Sequence, residues 1–211
     1  MVDGWSQTYE CVETLLSIKN LVSVKGNHDD WWLTYLQKGE HPAKFLQGSK
    51  ATYDSYVNSG SDFKKHLQFF ENQLPYFVDE FSNVYVHGGF NRHYPLAEQP
   101  KKDIYWWDRD LLLQAMSAKT ITDPRYSAMR FKDGNKLSRI FLGHTTTTLW
   151  SRYDESNKKV PNDKPMFVDR IVNLDTGAGF DGRLTIMDTS SLEYWQSDPV
   201  QILYSTEKGR N

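Results

Sequence analysis

Three short polar segments of this sequence carry the side chains best suited to chemistry. They read GNHD (26–29), HGG (87–89) and GHT (143–145). Two imidazoles together with an amide oxygen, from Asn27, His87 and His144, are suitable ligands for a divalent metal ion of hard to borderline character. His28 adjoins Asn27 and is available for acid–base chemistry, because the pKa of histidine lies close to neutral pH.

Each of these segments follows a predicted β-strand. Apolar, β-branched or aromatic runs predict the strands at residues 21–24, 83–87 and 139–142. Open α/β sheets bind ligands outside the carboxyl ends of their strands, and the ends of neighbouring parallel strands lie side by side. We therefore predict that Asn27, His87 and His144 form one metal site.

The remaining pattern indicates helices and short strands in one α/β domain. Helical spacing predicts helices at residues 9–19, within 31–72 and at 103–113, with Ser6 or Thr8 as the first cap. Gly39, Gly48 and Gly60 separate three apolar helical clusters. His41 and His66 are expected to be exposed at the surface. Further strands are predicted at 75–78, 149–152, 166–168, 171–174, 184–188 and 192–195, the last two as a hairpin. Residues 117–136 and 153–165 are predicted to be polar surface segments, and the chain after Tyr204 a frayed tail.

Composition narrows the class of protein. A length of 211 residues fits one domain over residues 1–211 with a sizeable core. The net charge of −2 argues against a nucleic-acid partner. Aromatic residues make up 14% of the chain, which argues against disorder. A single cysteine, Cys11, excludes an intramolecular disulfide and fits a cytoplasmic protein. No apolar run is long enough to span a membrane.

Arg109 allows two interpretations. In the first, residues 103–113 form a helix that packs Trp106 and Trp107 into the core, with Arg109 paired to Asp108 or Asp110. In the second, the aromatic residues hold Arg109 for bidentate contact with a phosphate group.

The order of the motifs resembles the calcineurin-like metallophosphoesterase superfamily. The segments VDG (2–4), GNHD, HGG and GHT carry the resemblance, which is strongest to the bacterial and phage members of its serine/threonine phosphoprotein phosphatase branch. The segment WDR (107–109) is similar to a W-x-R motif of phage members. Residues 173–188 resemble the hairpin after the last metal histidine, and the likeness extends from residue 1 to about residue 195. It implies a β-sandwich flanked by helices (α/β/β/α).

The resemblance also implies a chemistry and its metal ligands. Asn27, His87 and His144 match three ligands of the second of two metal ions, with Mn, Fe or Zn as candidates. The reaction would be hydrolysis of a phosphoprotein or a small phosphoester.

Three further residues match functional positions of the family. His28 matches the proposed general acid, Asp3 the residue that orients it, and Arg109 a residue that binds phosphate. The resemblance thus implies a general acid, a residue that orients it, one phosphate-binding arginine and three metal ligands.

The sequence departs from the family at its beginning. The family's G-D-x-H-G segment and the first Asp of its G-D-x-V-D-R-G motif have no counterpart, and Gly4 stands where an arginine would follow Asp3. We expect that the chain starts at an internal Met and lacks the first strand–loop unit. We also expect one bound ion or none, poor catalysis, and an exposed apolar face that makes the chain unstable or oligomeric.

Other interpretations remain open. In one of them, the chain is an active phosphatase whose first-metal ligands come from elsewhere in the sequence, for instance from Asp29, Asp30 or Asp175. In another, it is an inactive fragment or pseudo-phosphatase that binds phosphorylated ligands. A dinucleoside polyphosphate hydrolase of the same superfamily is a further alternative. Asp175, Asp188 and Trp195 are assigned to hairpin structure, and the oligomeric state is left open.

Overall fold

A computed structural model describes residues 2–40, 44, 46–60, 63–120 and 129–210. The chain divides into two compact units. The first unit comprises Met1–Leu74 and Gly177–Asn211, and the second unit comprises Pro75–Thr176. Both contain helices and strands, so the predicted α/β class is confirmed, while the single domain over residues 1–211 stays a prediction. None of the described helices is long and apolar enough to cross a membrane.

Helices dominate the first unit. Seven helices are described in the two units: α1 (Thr8–Leu16), α2 (Asn27–Lys38), α3 (Ser49–Ser59), α4 (Lys64–Glu71), α5 (Ile104–Trp107), α6 (Asp110–Lys119) and α7 (Val200–Leu203). Helices α1 to α4 and α7 belong to the first unit. The predicted glycine boundaries are confirmed: α2 ends at Gly39, whose φ of +74° suits a residue without a Cβ, and Gly48 and Gly60 flank α3.

The core of the first unit is aromatic. Trp32, Tyr56 and Phe70 are almost completely buried and pack with Val2 and Val12. The rings of Trp32 and Tyr56 lie 4.7 Å apart, which joins α2 to α3. This packing fixes the start of α2, the helix that carries Asn27 and His28.

Strands dominate the second unit. The described strands are β1 (Tyr76–Val78), β2 (Val84–Val86), β3 (Ile140–Leu142), β4 (Ser151–Tyr153), β5 (Lys159–Pro161), β6 (Met166–Val168), β7 (Ile171–Asn173), β8 (Thr185–Met187) and β9 (Tyr194–Gln196). Five of them form one mixed sheet in the order β1-β2-β3-β7-β6. β4 pairs with β5, and β8 pairs with β9 in the first unit as the predicted hairpin.

The centre of the mixed sheet is parallel. β2 pairs with β3 and β3 pairs with β7 in parallel, whereas β1 and β6 are antiparallel edges. Buried side chains of the three central strands, including Val84, Ile140 and Ile171, form the core with Leu111 of α6. The carboxyl ends of β2, β3 and β7 therefore lie at the same edge of the sheet.

The predicted buried strand at residues 21–24 is wrong. Val24 forms a single parallel bridge to Leu74, and the side chain of Val22 is 48% exposed. Backbone hydrogen bonds join Lys25 N to Leu74 O and Leu74 N to Ser23 O, at 2.8 and 2.9 Å. One bridge does not make a ladder, so the segment is extended without being a strand of a sheet.

Six other predictions need correction. The α1 cap is Gln7, and the Ser6 hydroxyl donates instead to Glu207. His66 is fully buried, whereas His41 lies outside the described residues. Residues 103–113 form two helices rather than one, and α6 extends into 117–136, of which 121–128 are not described. Residues 153–165 include β5. The segment after Tyr204 makes hydrogen bonds within the first unit, such as that from Arg210 to Val2 O.

Candidate active site

Asp3 and His28 form a buried pair in the first unit. Oδ2 of Asp3 lies 2.5 Å from Nδ1 of His28, and the two residues are 3% and 7% exposed. A carboxylate accepts hydrogen bonds, so Nδ1 is the ring nitrogen that donates here. The contact expected from the resemblance is therefore present, and the chemical roles of both residues stay predictions.

Thr52 of α3 holds the Asp3 carboxylate. Its hydroxyl donates to Oδ1 of Asp3 at 3.0 Å and accepts the backbone N–H of Asp3 at 2.8 Å. Asp3 adopts a φ of +69°, a left-handed conformation that is uncommon for residues other than glycine. Such a conformation persists only when its surroundings fix it, and residues of this kind cluster at functional sites.

Asn27 is the first residue of α2 and is 4% exposed. The helix start is stabilised by Asp29, whose Oδ2 accepts the N–H of Gly26 at 2.9 Å. Oδ1 of Asp30 lies 3.6 Å from Nζ of Lys25. Both alternative first-metal ligands on α2 thus have structural contacts, one with the helix cap and one with a lysine.

His87 and His144 meet at the edge of the mixed sheet in the second unit. They follow β2 and β3, and their ring centroids lie 5.1 Å apart at an angle of 60°. Gly143 N donates to His87 O at 2.9 Å, which extends the pairing of the two strands to the histidines. The predicted proximity of these two residues is confirmed.

The corner at His144 is held in an unusual conformation. His144 has a φ of +62°, the second left-handed residue among the predicted site residues. Asn173 at the end of β7 is fully buried and donates from Nδ2 to Thr145 O at 2.8 Å. Asp175 lies near Gly143: a Cβ built on this glycine would lie 3.6 Å from Cβ of Asp175.

Arg109 reaches the same corner. It stands between α5 and α6, and its Nη1 donates to Thr145 Oγ1 at 2.9 Å and to His144 O at 3.2 Å. The ring of Trp107 contacts the His144 imidazole edge-on, with centroids 5.9 Å apart. Arg109 is therefore held beside His87 and His144, which we call the histidine corner.

Asp108 packs against the glycines that follow His87. A Cβ at Gly88 would lie 2.8 Å from Asp108 N and 2.9 Å from Asp108 O, so only glycine fits there. Gly88 N donates to Tyr105 O at 2.7 Å. Burial raises the pKa of the Asp108 carboxyl, and its Oδ2 accepts the N–H of Leu111 in the first turn of α6 at 2.9 Å.

Two of the three predicted metal ligands, His87 and His144, lie together in the second unit. Two imidazoles on neighbouring strand ends are a borderline ligand pair, and Nε2 of His144 is buried. Residues 2–40, 44, 46–60, 63–120 and 129–210 contain no cluster of three or more His, Cys, Asp or Glu side chains. The amide oxygen of Asn27 as third ligand stays a prediction.

Comparison with known proteins gives no family. No protein-family model matches the sequence, and a search of curated proteins finds no match.

Sequence reasoning missed the residues that hold the site residues in place. Thr52, Asn173 and Asp108 each make a buried or half-buried contact with a predicted site residue or its neighbour. Thr52 lies in no motif. Asp108 belongs to the WDR segment and Asn173 begins the segment 173–188, but the residues that they hold are distant along the chain, so neither motif predicts these contacts.

Proposed function

We propose that this protein is a metal-dependent phosphoester hydrolase of the calcineurin-like type. The observation that carries the proposal is the histidine corner: two imidazoles 5.1 Å apart with a guanidinium hydrogen-bonded beside them. Metal ligands next to an arginine form a combination that suits a phosphate group. The α/β/β/α arrangement of that superfamily is part of the same proposal.

His87, His144 and Asn27 are the proposed ligands of a divalent ion. Such an ion, when bound, polarises a phosphoryl oxygen and neutralises charge that develops on the phosphate. All three ligands are neutral when they bind a metal. We therefore expect weak binding of a single ion per chain and slow turnover.

His28 is the proposed general acid. Its Nδ1 donates to Asp3, so the protonated ring carries its second proton on Nε2 and can deliver it to the leaving alkoxide oxygen. Asp3 keeps the ring in one orientation and stabilises the imidazolium. Burial of both side chains strengthens this hydrogen bond, because water competes little for it.

Arg109 is the proposed phosphate ligand. The guanidinium has five N–H donors, and the bonds to Thr145 and His144 both come from Nη1. These bonds hold the group in place, so less side-chain entropy is lost when phosphate binds. The proposed substrates are phosphoproteins or small phosphoesters.

Hydrolysis of p-nitrophenyl phosphate with added Mn²⁺ tests the proposal. We expect turnover that requires the metal, is lost in His87→Ala and is retained in His93→Ala, which removes an exposed histidine of the same unit. Turnover that His87→Ala leaves unchanged would contradict the proposal. Binding of a phosphopeptide without turnover would favour the pseudo-phosphatase instead.

A further inference from the structure

The backbone of Asp3 is held by a residue far along the chain. Arg210 donates from Nη2 to Val2 O at 2.9 Å and from Nε to Asp3 O at 3.2 Å. Its own backbone N–H donates to Gly179 O at 2.9 Å. The guanidinium therefore holds two consecutive carbonyl groups, while the backbone of Arg210 is fixed on a neighbouring loop.

The same loop is packed closely from another side. Gly4 N donates to Gly48 O at 3.2 Å, and a Cβ on Gly48 would lie 2.6 Å from Gly4 N. There is no space for a side chain at this contact. The loop of residues 2–5 thus lies between the start of α3 and the segment that ends with Arg210.

Residues 204–207 add contacts to the next part of the loop. Both carboxylate oxygens of Glu207 accept hydrogen bonds from Ser6, one from its N–H at 2.9 Å and one from its hydroxyl at 2.7 Å. The ring of Tyr204 stacks on Trp5 with centroids 5.1 Å apart. Residues 204–207 therefore hold the chain after Gly4, whereas Arg210 holds Val2 and Asp3 before it.

These contacts bear on the conformation of Asp3. A left-handed φ is unfavourable for a residue with a Cβ, so neighbouring contacts must compensate for it. Thr52 holds the N–H and the carboxylate of Asp3, and Arg210 holds its carbonyl oxygen. With both peptide groups fixed, the side chain is directed at His28.

We propose that Arg210 is a positioning residue for the Asp3–His28 pair. It fixes the backbone of Asp3 so that the carboxylate faces Nδ1 of His28. Its contribution to catalysis rests on the proposed function, whereas its effect on Asp3 does not. Arg210 itself is assigned no contact with substrate.

Amide hydrogen exchange in the full chain, followed by NMR, tests the effect on Asp3 directly. We expect Arg210→Ala to speed exchange at Asp3 and Gly4 by about tenfold or more, because local opening no longer breaks two hydrogen bonds. Leu67 of α4 should exchange as before, which would show that the chain remains folded. The matched control is Arg183→Ala, since Arg183 also donates to a backbone carbonyl, that of Ser197.

Exchange at Asp3 and Gly4 within about twofold of the native rate in Arg210→Ala would overturn the proposal. Arg210→Lys should restore much of the protection, because an ammonium group also donates to carbonyl oxygens. Should Arg210→Ala fail to fold, the lysine variant and its partial protection provide the same test. In that case, exchange at Asp3 and Gly4 that lies between the native rate and the rate of an unfolded loop supports the role, and exchange at the native rate contradicts it.

Kinetics test the link to His28. We expect Arg210→Ala to lower kcat about tenfold with little change in KM, and millimolar guanidinium to restore part of the loss. In an Asp3→Asn background the same change should have almost no further effect, because both act through one hydrogen bond. Additive losses would contradict this route. A native chain without turnover would refute the proposed function and leave the exchange result decisive for Arg210.

Discussion

The imidazole of His28 and the carboxylate of Asp3 are joined by a 2.5 Å hydrogen bond between two buried side chains. These residues are separated by 25 positions in the sequence. The bond fixes the ring of His28 and leaves its Nε2 to face other groups. An arrangement of this kind suits a histidine that delivers a proton in one direction.

Replacing Asp3 by Asn should lower kcat by about 100-fold, because the amide can present a donor where Nδ1 requires an acceptor. Asn tolerates the left-handed conformation of Asp3, so the variant should fold. Steady-state kinetics with p-nitrophenyl phosphate measure the effect. Asp54→Asn removes an exposed carboxylate of α3 and serves as the control. A kcat for Asp3→Asn within about threefold of the native value would contradict the assigned role.

Gly88→Ala should lower the free energy of unfolding by about 1–3 kcal/mol, since the added Cβ meets backbone atoms of Asp108 at 2.8 and 2.9 Å. It should also displace His87 and weaken metal binding. Urea unfolding and Mn²⁺ titration measure the two effects. Gly143→Ala is the matched control, because it also adjoins a proposed ligand but its Cβ would meet Asp175 at an ordinary 3.6 Å. Equal stability of the two alanine variants would show that the close packing at Gly88 has been misjudged.

Arg109→Ala should raise KM about tenfold or more, because charge-assisted hydrogen bonds contribute about 1.5–3 kcal/mol. Arg109→Lys should recover only part of the loss, since an ammonium group lacks the planar fork of the guanidinium. Initial rates over a range of substrate concentrations separate KM from kcat. Arg92→Ala, a change in the same unit away from the corner, should leave KM unchanged. A native KM in Arg109→Ala would remove Arg109 from the site.

The stability of the first unit should decrease in acid through Glu13. Hydrogen bonds from His66 and Lys65 lower the pKa of the Glu13 carboxyl below its ordinary value of 4.5. The stabilising contribution is therefore fully present above the unfolded pKa and is lost as the pH falls through the folded pKa. Urea midpoints of the native chain and Glu13→Gln should converge below that pH. Glu193→Gln is the control, and a Glu13→Gln midpoint that stays lower by a constant amount into strong acid would contradict the prediction.

Local signals predicted much of the fold. Apolar runs indicated β2, β3, β6 and β7, and glycines marked the end of α2 and both ends of α3, because these features depend on neighbours in the sequence. The segment 21–24 has the composition of a strand, but its pairing depends on Leu74, which no local pattern reveals. The burial of His66 was predictable from helical spacing, since Phe69 and Phe70 lie three and four residues further on the same face.

The candidate site shows the same division. Motif spacing brought His87 and His144 together correctly because both follow strands of one parallel pair. The residues that hold the site, such as Asn173 and Arg210, are polar side chains whose partners are fixed only by the tertiary structure. Their types at those positions carry no distinguishing pattern. Supporting contacts of this kind become visible only with coordinates.

Paramagnetic broadening by Mn²⁺ tests the central claim most directly. Substoichiometric Mn²⁺ added to the isotope-labelled chain should broaden the NMR signals of Asn27, His87 and His144 together. The signals of His93, which is exposed and not a proposed ligand, should stay sharp. Joint broadening of the three residues is the result that the proposed metal site predicts. Sharp signals from His87 and His144 at every Mn²⁺ concentration, or broadening of the histidines without Asn27, would contradict it.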